Sequence, residues 1–317
     1  MKAAQLTPDE YFDAIIDGNL TVVKSAPNKY HKLSDTREST HSIISNMPPV
    51  FYSIYYFKDD VLNYLLSQRA PVFNTDHFSA PVPNVPNPID VFPSTSALIF
   101  ALCCNNEFAT KQLLKKHPEL ILKRSSAGTT PLEAAVRFNQ KSGAFIWQSN
   151  EVVKTLITKQ NKCILNPLQT ACLYGRNTIL RFWYKMIIEF EDVKPNFYKA
   201  ALMLNDNYNN IVELAEEAID LEECNTTEDA KFDAIDIAQI IMQDAINYAE
   251  AYKDFDPELK RLLEYLTNTV EAPALPGQLL IVTDTAYEDE EYEKMKLQHQ
   301  KEREERRLRG EDSDDLV

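Results

Sequence analysis

The side chains able to do covalent or metal chemistry are few and poorly spaced for it. Five cysteines stand at Cys103, Cys104, Cys163, Cys172 and Cys224, and no two of them form C-x-x-C. Five histidines (His31, His41, His77, His117 and His299) are scattered, without an H-x(3–5)-H pair or H-E-x-x-H. Neither a zinc site nor a disulfide framework is expected from such spacing. The six glycines (Gly18, Gly128, Gly143, Gly175, Gly277 and Gly310) lie too far apart for G-x-G-x-x-G or G-x-x-x-x-G-K-[ST]. That removes the usual glycine cradles for nucleotide phosphates, and no G-x-S-x-G nucleophile elbow is present either. Cys103-Cys104 falls in an apolar run and reads as a pair of buried structural thiols. His31 and His41 flank Asp35 and Glu38, yet no nucleophile keeps a fixed spacing to them, so this stretch reads as a linker. Helical spacing puts Glu213, Glu216 and Asp220 on one face, which an acidic solvated stripe explains without a metal. No catalytic residue, no cofactor and no metal are expected. What remains is recognition.

The surfaces available for recognition differ along the chain. Of 317 residues, 44% are apolar and 26% charged, enough to bury a core, and the net charge is -15. Residues 1–210 sum to +4, residues 211–264 to -12 and residues 287–317 to -5. A near-neutral first part followed by an acidic one argues for two regions, and against nucleic acid as a partner, because phosphates need a basic face. An odd number of cysteines points to reduced thiols and a cytoplasmic setting. Residues 1–12 lack an apolar core of the kind a signal peptide needs, so none is expected. The longest apolar run, Ala97–Cys104, is far short of the roughly 20 residues of a membrane helix, so no membrane insertion is expected.

The elements that must position any surface repeat themselves. Gly128–Val136 reads G-T-T-P-L-E-A-A-V and Asn166–Arg176 reads N-P-L-Q-T-A-C-L-Y-G-R. Similar openings occur at Thr95–Cys103 and Pro48–Tyr55, and a weaker one at Tyr11–Lys24. Each of the first four precedes a second apolar helical pattern, such as Val61-Leu62 with Leu65-Leu66. Taking Pro49, Ala97, Pro131 and Pro167 as equivalent gives spacings of 48, 34 and 36. Thr130-Pro131 suits a helix start, with Thr as N-cap and Pro in the first turn. Ser53, Ala101, Ala135 and Ala171 recur four positions after each mark, where small residues let paired helices approach closely.

These openings resemble the ankyrin repeat family, whose period is about 33 residues with a T-P-L-H-x-A signature. Phe51, Ile99, Glu133 and Gln169 stand where the family has His, and most hairpin glycines are missing. The resemblance implies an all-α fold, an ankyrin-type helical solenoid with degenerate repeats over residues 1–193, and three amphipathic helical patterns beyond it read as a C-terminal helical bundle. An acidic helical domain is expected at 194–270, a linker at 271–286 and a charged, exposed or disordered tail at 287–317. Two insertions lengthen the solenoid. Residues 74–94 are proline-rich and read as a loop, with a recognition loop as the functional alternative; residues 138–150 enlarge one helix turn.

Ankyrin-type stacks bind partners through hairpin tips and inner helices, which the resemblance places near Ser125, Ser126, Lys162 and Asn166, and at Arg137, Phe138, Tyr174 and Arg176. Phe145 and Trp147 in the enlarged turn either pack internally under that loop or, if exposed, are the strongest single anchors. The function expected is therefore that of a noncatalytic protein–protein adaptor whose protein partner the sequence does not name. Two alternatives stay open, an unrecognised enzyme sited in 195–270 and a self-associating structural protein. Glu288-Asp289-Glu290-Glu291 and Glu302-x-Glu304-Glu305 add a resemblance to ankyrin-repeat effectors that intracellular bacteria of the Legionella and Coxiella type deliver through type IV secretion, which implies delivery into a host cell. The tail's charge density leaves no apolar stripe to bury, so truncation after Ala286 is expected to leave folding intact.

Overall fold

The computed structural model describes residues 6–34, 46–82, 87–138, 141–219 and 227–269. His41, Asp35, Glu38, Asp220, Cys224, the 271–286 linker and the 287–317 tail lie outside them. The described chain is predominantly helical, as the all-α reading expects. Its one sheet among these residues is a two-stranded antiparallel hairpin.

Helices come in pairs: α1 (Pro8–Asp17) with α2 (Leu20–Ser25), α3 (Pro49–Tyr55) with α4 (Asp59–Ser67). The hairpin β1 (Phe78–Ala80) and β2 (Ile89–Val91) follows, with Phe78 opposite Val91. Next are α5 (Ala97–Cys103) with α6 (Glu107–Lys116), then α7 (Pro131–Phe138), the short α8 (Ala144–Trp147) and α9 (Asn150–Leu156). After α10 (Pro167–Leu173) and α11 (Asn177–Glu189) come α12 (Lys194–Leu202), α13 (Ile211–Glu217), α14 (Glu228–Tyr252) and α15 (Pro257–Thr269).

Sequence explains where these helices start. Thr7, Asn166 and Asn210 each close a capping box with Glu10, Gln169 and Glu213. Ser96 and Thr130 accept from the third backbone N–H of α5 and α7. Pro8, Pro49, Pro131 and Pro167 occupy first-turn positions whose N–H would go unused.

The pairs turn through a recurring main-chain bond. The carbonyls of Ala14, Ser53, Ala101 and Ala171 accept from the N–H five residues on, at 2.7, 2.8, 2.9 and 2.8 Å. This is the six-to-one bond of a Schellman turn, which needs a left-handed residue just before its donor. Gly18, Phe57, Asn105 and Gly175 supply it, with φ of 76°, 55°, 53° and 55°. In α7 the turn is replaced by the 138–150 insertion, and Gly143 lies directly on Ala135. A Cβ on Gly143 would come 2.8 Å from that of Ala135, so only glycine fits.

First helices pack on one another in chain order, α1 on α3, α3 on α5, α5 on α7, α7 on α10 and α10 on α13. The largest fully buried side chains include Trp183, Tyr11, Tyr52, Phe51 and Phe100. Beside the helices, three loops share one geometry. Ser125, Asn161 and Asn205 each donate their N–H to the carbonyl four residues on, at 3.0, 2.9 and 3.1 Å. Gly128, Ile164 and Tyr208 take the left-handed position. Neighbouring loops are tied by main-chain bonds, Ser126 N–H to Pro93 C=O (3.1 Å) and Lys162 N–H to Ala127 C=O (2.6 Å). The 205–209 loop lies beyond residue 193, where the sequence pattern fades.

Candidate partner-binding cavity

Glu133 follows Leu132 on an otherwise apolar helix start, and its backbone N–H is capped by the Thr130 hydroxyl at 3.1 Å. One helical turn on, Arg137 comes to the same side of α7. The glutamate is 3% exposed. Its Oε1 accepts from Asn161 Nδ2 at 2.5 Å, while its Oε2 has no hydrogen-bond partner. Asn161 is itself held, because its Oδ1 accepts the N–H groups of Cys163 (2.9 Å) and Leu165 (3.0 Å). Burial pushes the Glu133 carboxyl above the usual carboxylate range; the Asn161 bond and the Arg137 charge offset part of that.

Around this glutamate opens a cavity of about 400 Å³ between β2, α5, α7 and the loops at 125–129 and 161–163. Phe92, Ile99 and Phe138 give it apolar walls; Ser125, Arg137 and Lys162 also line it. The cations rest on rings. The Arg137 guanidinium lies 5.6 Å from the Phe138 centroid and 5.5 Å from that of Tyr174. Arg176 lies 5.6 Å from the same Tyr174 ring and donates to the Arg137 carbonyl at 2.5 Å. Lys162 Nζ lies 5.0 Å from the Phe92 centroid. Cys103 lines the cavity too, but burial pushes its thiol up to about 12, so it stays protonated and inert as a nucleophile at neutral pH. Among the described residues no cluster of His, Cys, Asp and Glu is placed to hold a metal ion, and no helix is long and apolar enough to cross a membrane.

The structure thus brings together Ser125, Arg137, Phe138, Tyr174 and Arg176 from the expected set. Several sit differently from expectation. Arg176 is 7% exposed rather than an open inner-helix position. Ser125 is buried, its hydroxyl accepting from Thr129 N–H at 3.1 Å to shape the loop. Asn166 is a fully buried cap instead of a tip residue. Ser126 is exposed as expected of a tip. The aromatic pair divides: Phe145 is 41% exposed, whereas Trp147 is 7% exposed and belongs to the core. Phe182 meets the Trp147 ring edge-on at 5.5 Å, and Trp183 Nε1 donates to the Trp147 carbonyl at 2.9 Å. The second helix of the next pair covers it, so for Trp147 the packed alternative of the sequence reading holds. Sequence reasoning passed over Glu133 as a lost family His and did not single out Asn161 or Phe92. A lone glutamate between Leu132 and Ala134 was the available signal.

No protein-family model matches the chain, and no curated protein does. One chain matched among solved structures is from the predatory endopeptidase Bd0816 of Bdellovibrio bacteriovorus in complex with immunity protein Bd3460. It is 16% identical, with a TM-score of 0.43, over 73% of this chain and 96% of that one. An overlap of that size assigns neither fold nor activity.

Proposed function

We propose that the chain is a noncatalytic protein-binding module, a degenerate ankyrin-type stack whose inner helices and loop tips receive a segment of another protein. The observation that carries the reading is the cavity beside α7, where cations are displayed on aromatic faces around a buried carboxyl with one unsatisfied oxygen. Aromatic and arginine side chains dominate the energetics of protein interfaces. The recurring Schellman turn and the three matching loops support the stack. On this reading α13 and α14 form a sixth pair, since Asn210 follows its loop as Asn166 follows the one before.

Affinity capture from eukaryotic and bacterial lysates tests the function. A partner should be retained by the wild-type chain and lost on Arg137→Met at unchanged melting temperature. Capture that ignores Arg137, or a chain that only dimerises in sedimentation runs, removes the reading. Delivery as a type IV effector is part of the same proposal, resting on the glutamate blocks at 288–291 and 302–305. Truncation after Ala286 should then abolish translocation, and normal translocation without the tail would remove that part alone.

A further inference from the structure

We infer that the cavity beside α7 receives a carboxylate side chain, Asp or Glu, carried by an extended segment of the partner; the inference rests on the protein-binding reading above. At its mouth stand Arg137 and Lys162. Among the described residues neither forms a salt bridge, although ten such bridges involve other groups of the chain. A ring face steadies a cation but takes none of its N–H donors, so both side chains keep donors for a guest. A planar guanidinium held this way suits the two oxygens of a carboxylate.

The deep end points the same way. Glu133 Oε2 is buried without a partner, and Asn161 is pinned so that its only role toward Glu133 is to donate to Oε1. Oε2 can accept a donor, which the adjoining backbone N–H of an extended guest supplies while its carboxylate stays with Arg137 and Lys162. The opposite guest, a lysine or arginine, would have to pass Arg137 and Lys162 and would sit near Arg124, whose guanidinium bonds the Gly128 carbonyl at 3.2 Å. The remaining anion in the lining is Asp90, already engaged by His77 Nε2 (3.2 Å) and the Ser79 hydroxyl (2.6 Å). The field at the mouth therefore favours an anion. A volume of about 400 Å³ admits one side chain with its adjoining backbone, at the low end of ligand pockets at roughly 300–1,000 Å³.

A phage-displayed library of random nine-residue peptides, panned on the full chain, tests this. Selected peptides should share an Asp or Glu at one position. A synthetic peptide of the dominant sequence should bind about tenfold or more tightly than its Asn or Gln twin. Arg137→Met and Lys162→Met, checked for unchanged melting, should each weaken the acidic peptide and shrink its advantage. Enrichment of Lys or Arg, with selection lost in Glu133→Gln, overturns the inference and makes the guest a cation. Acidic peptides that bind Arg137→Met and Lys162→Met undiminished also overturn it. Enriched peptides without any charged preference would sink the inference while leaving protein binding standing. A library with nothing enriched above the empty support would sink both.

Discussion

Phe145 and Trp147 stand two residues apart and make opposite demands on the fold. Trp147→Ala removes a buried indole from under Phe182 and should cost about 3–5 kcal/mol in urea unfolding. Phe145→Ala, at 41% exposure, should stay within about 1 kcal/mol. Equal losses would mean that α8 packs differently. Two buried titratable groups give opposing pH responses. Burial holds the His31 imidazole below its ordinary value, with Tyr11 Oη at 2.8 Å from Nδ1. Its contribution is present above the unfolded value and lost as pH falls through the folded one. The Glu133 carboxyl is raised, so its contribution is present below the unfolded value and lost as pH rises through the folded one. Glu133→Gln should therefore raise the melting temperature at pH 8 more than at pH 4. An equal effect at both would mean that the carboxyl titrates as in the unfolded chain. Arg137, Phe138 and Tyr174 were legible because the repeat resemblance puts all three at the ends of inner helices, and α7 does pack on α10. For Trp147 the sequence left core and surface both open, since its cover comes from Phe182 and Trp183, thirty-five and thirty-six positions on.

At the scale of elements, the turn within each pair is a position where residue type and backbone can disagree. Gly18 and Gly175 meet the left-handed requirement without strain, while Phe57 takes it at φ 55°. A left-handed L-residue costs roughly 1–2 kcal/mol. Phe57 is 53% exposed, so its side chain returns little burial in exchange. Phe57→Gly should stabilise the chain by about 0.5–1 kcal/mol after glycine's added unfolded-state entropy is subtracted. A higher urea midpoint at unchanged slope is the expected outcome, and a lower midpoint would show that the ring contributes packing. The small residues Ser53, Ala101 and Ala171 made the close approach of helices legible, but the turn geometry was not legible where glycine was missing. The loop at 205–209 was not legible, because Ile211 rather than proline follows its cap and α12 stretches the spacing from Asn166 to Asn210 to 44 residues.

For the whole molecule, what matters is how much crosses residue 193, where the sequence pattern stops. Trp183 meets Phe197 at 5.7 Å, Asn166 Nδ2 donates to Ala200 C=O at 2.9 Å and Gln169 Nε2 to Met203 C=O at 2.7 Å. Arg181 pairs with Asp233 at 2.8 Å. A chain ended at Val193 loses those bonds, at about 0.5–1.5 kcal/mol each, and uncovers the apolar faces around Trp183. It should melt at least about 5 °C lower than a chain ended at Ala286. Equal melting of the two would make 1–193 a self-sufficient unit. The main-chain bonds from Ser126 to Pro93 and from Lys162 to Ala127 work in the other direction. Because main-chain bonds, with the Arg124 and Asn161 side chains, keep neighbouring loops in step, the outward side chains at Ser126, Lys162 and Cys163 can be exchanged without removing a bond of the frame. The chain has in effect a fixed rack with interchangeable fittings, so a few substitutions along one edge would change what that edge presents and leave the rack in place.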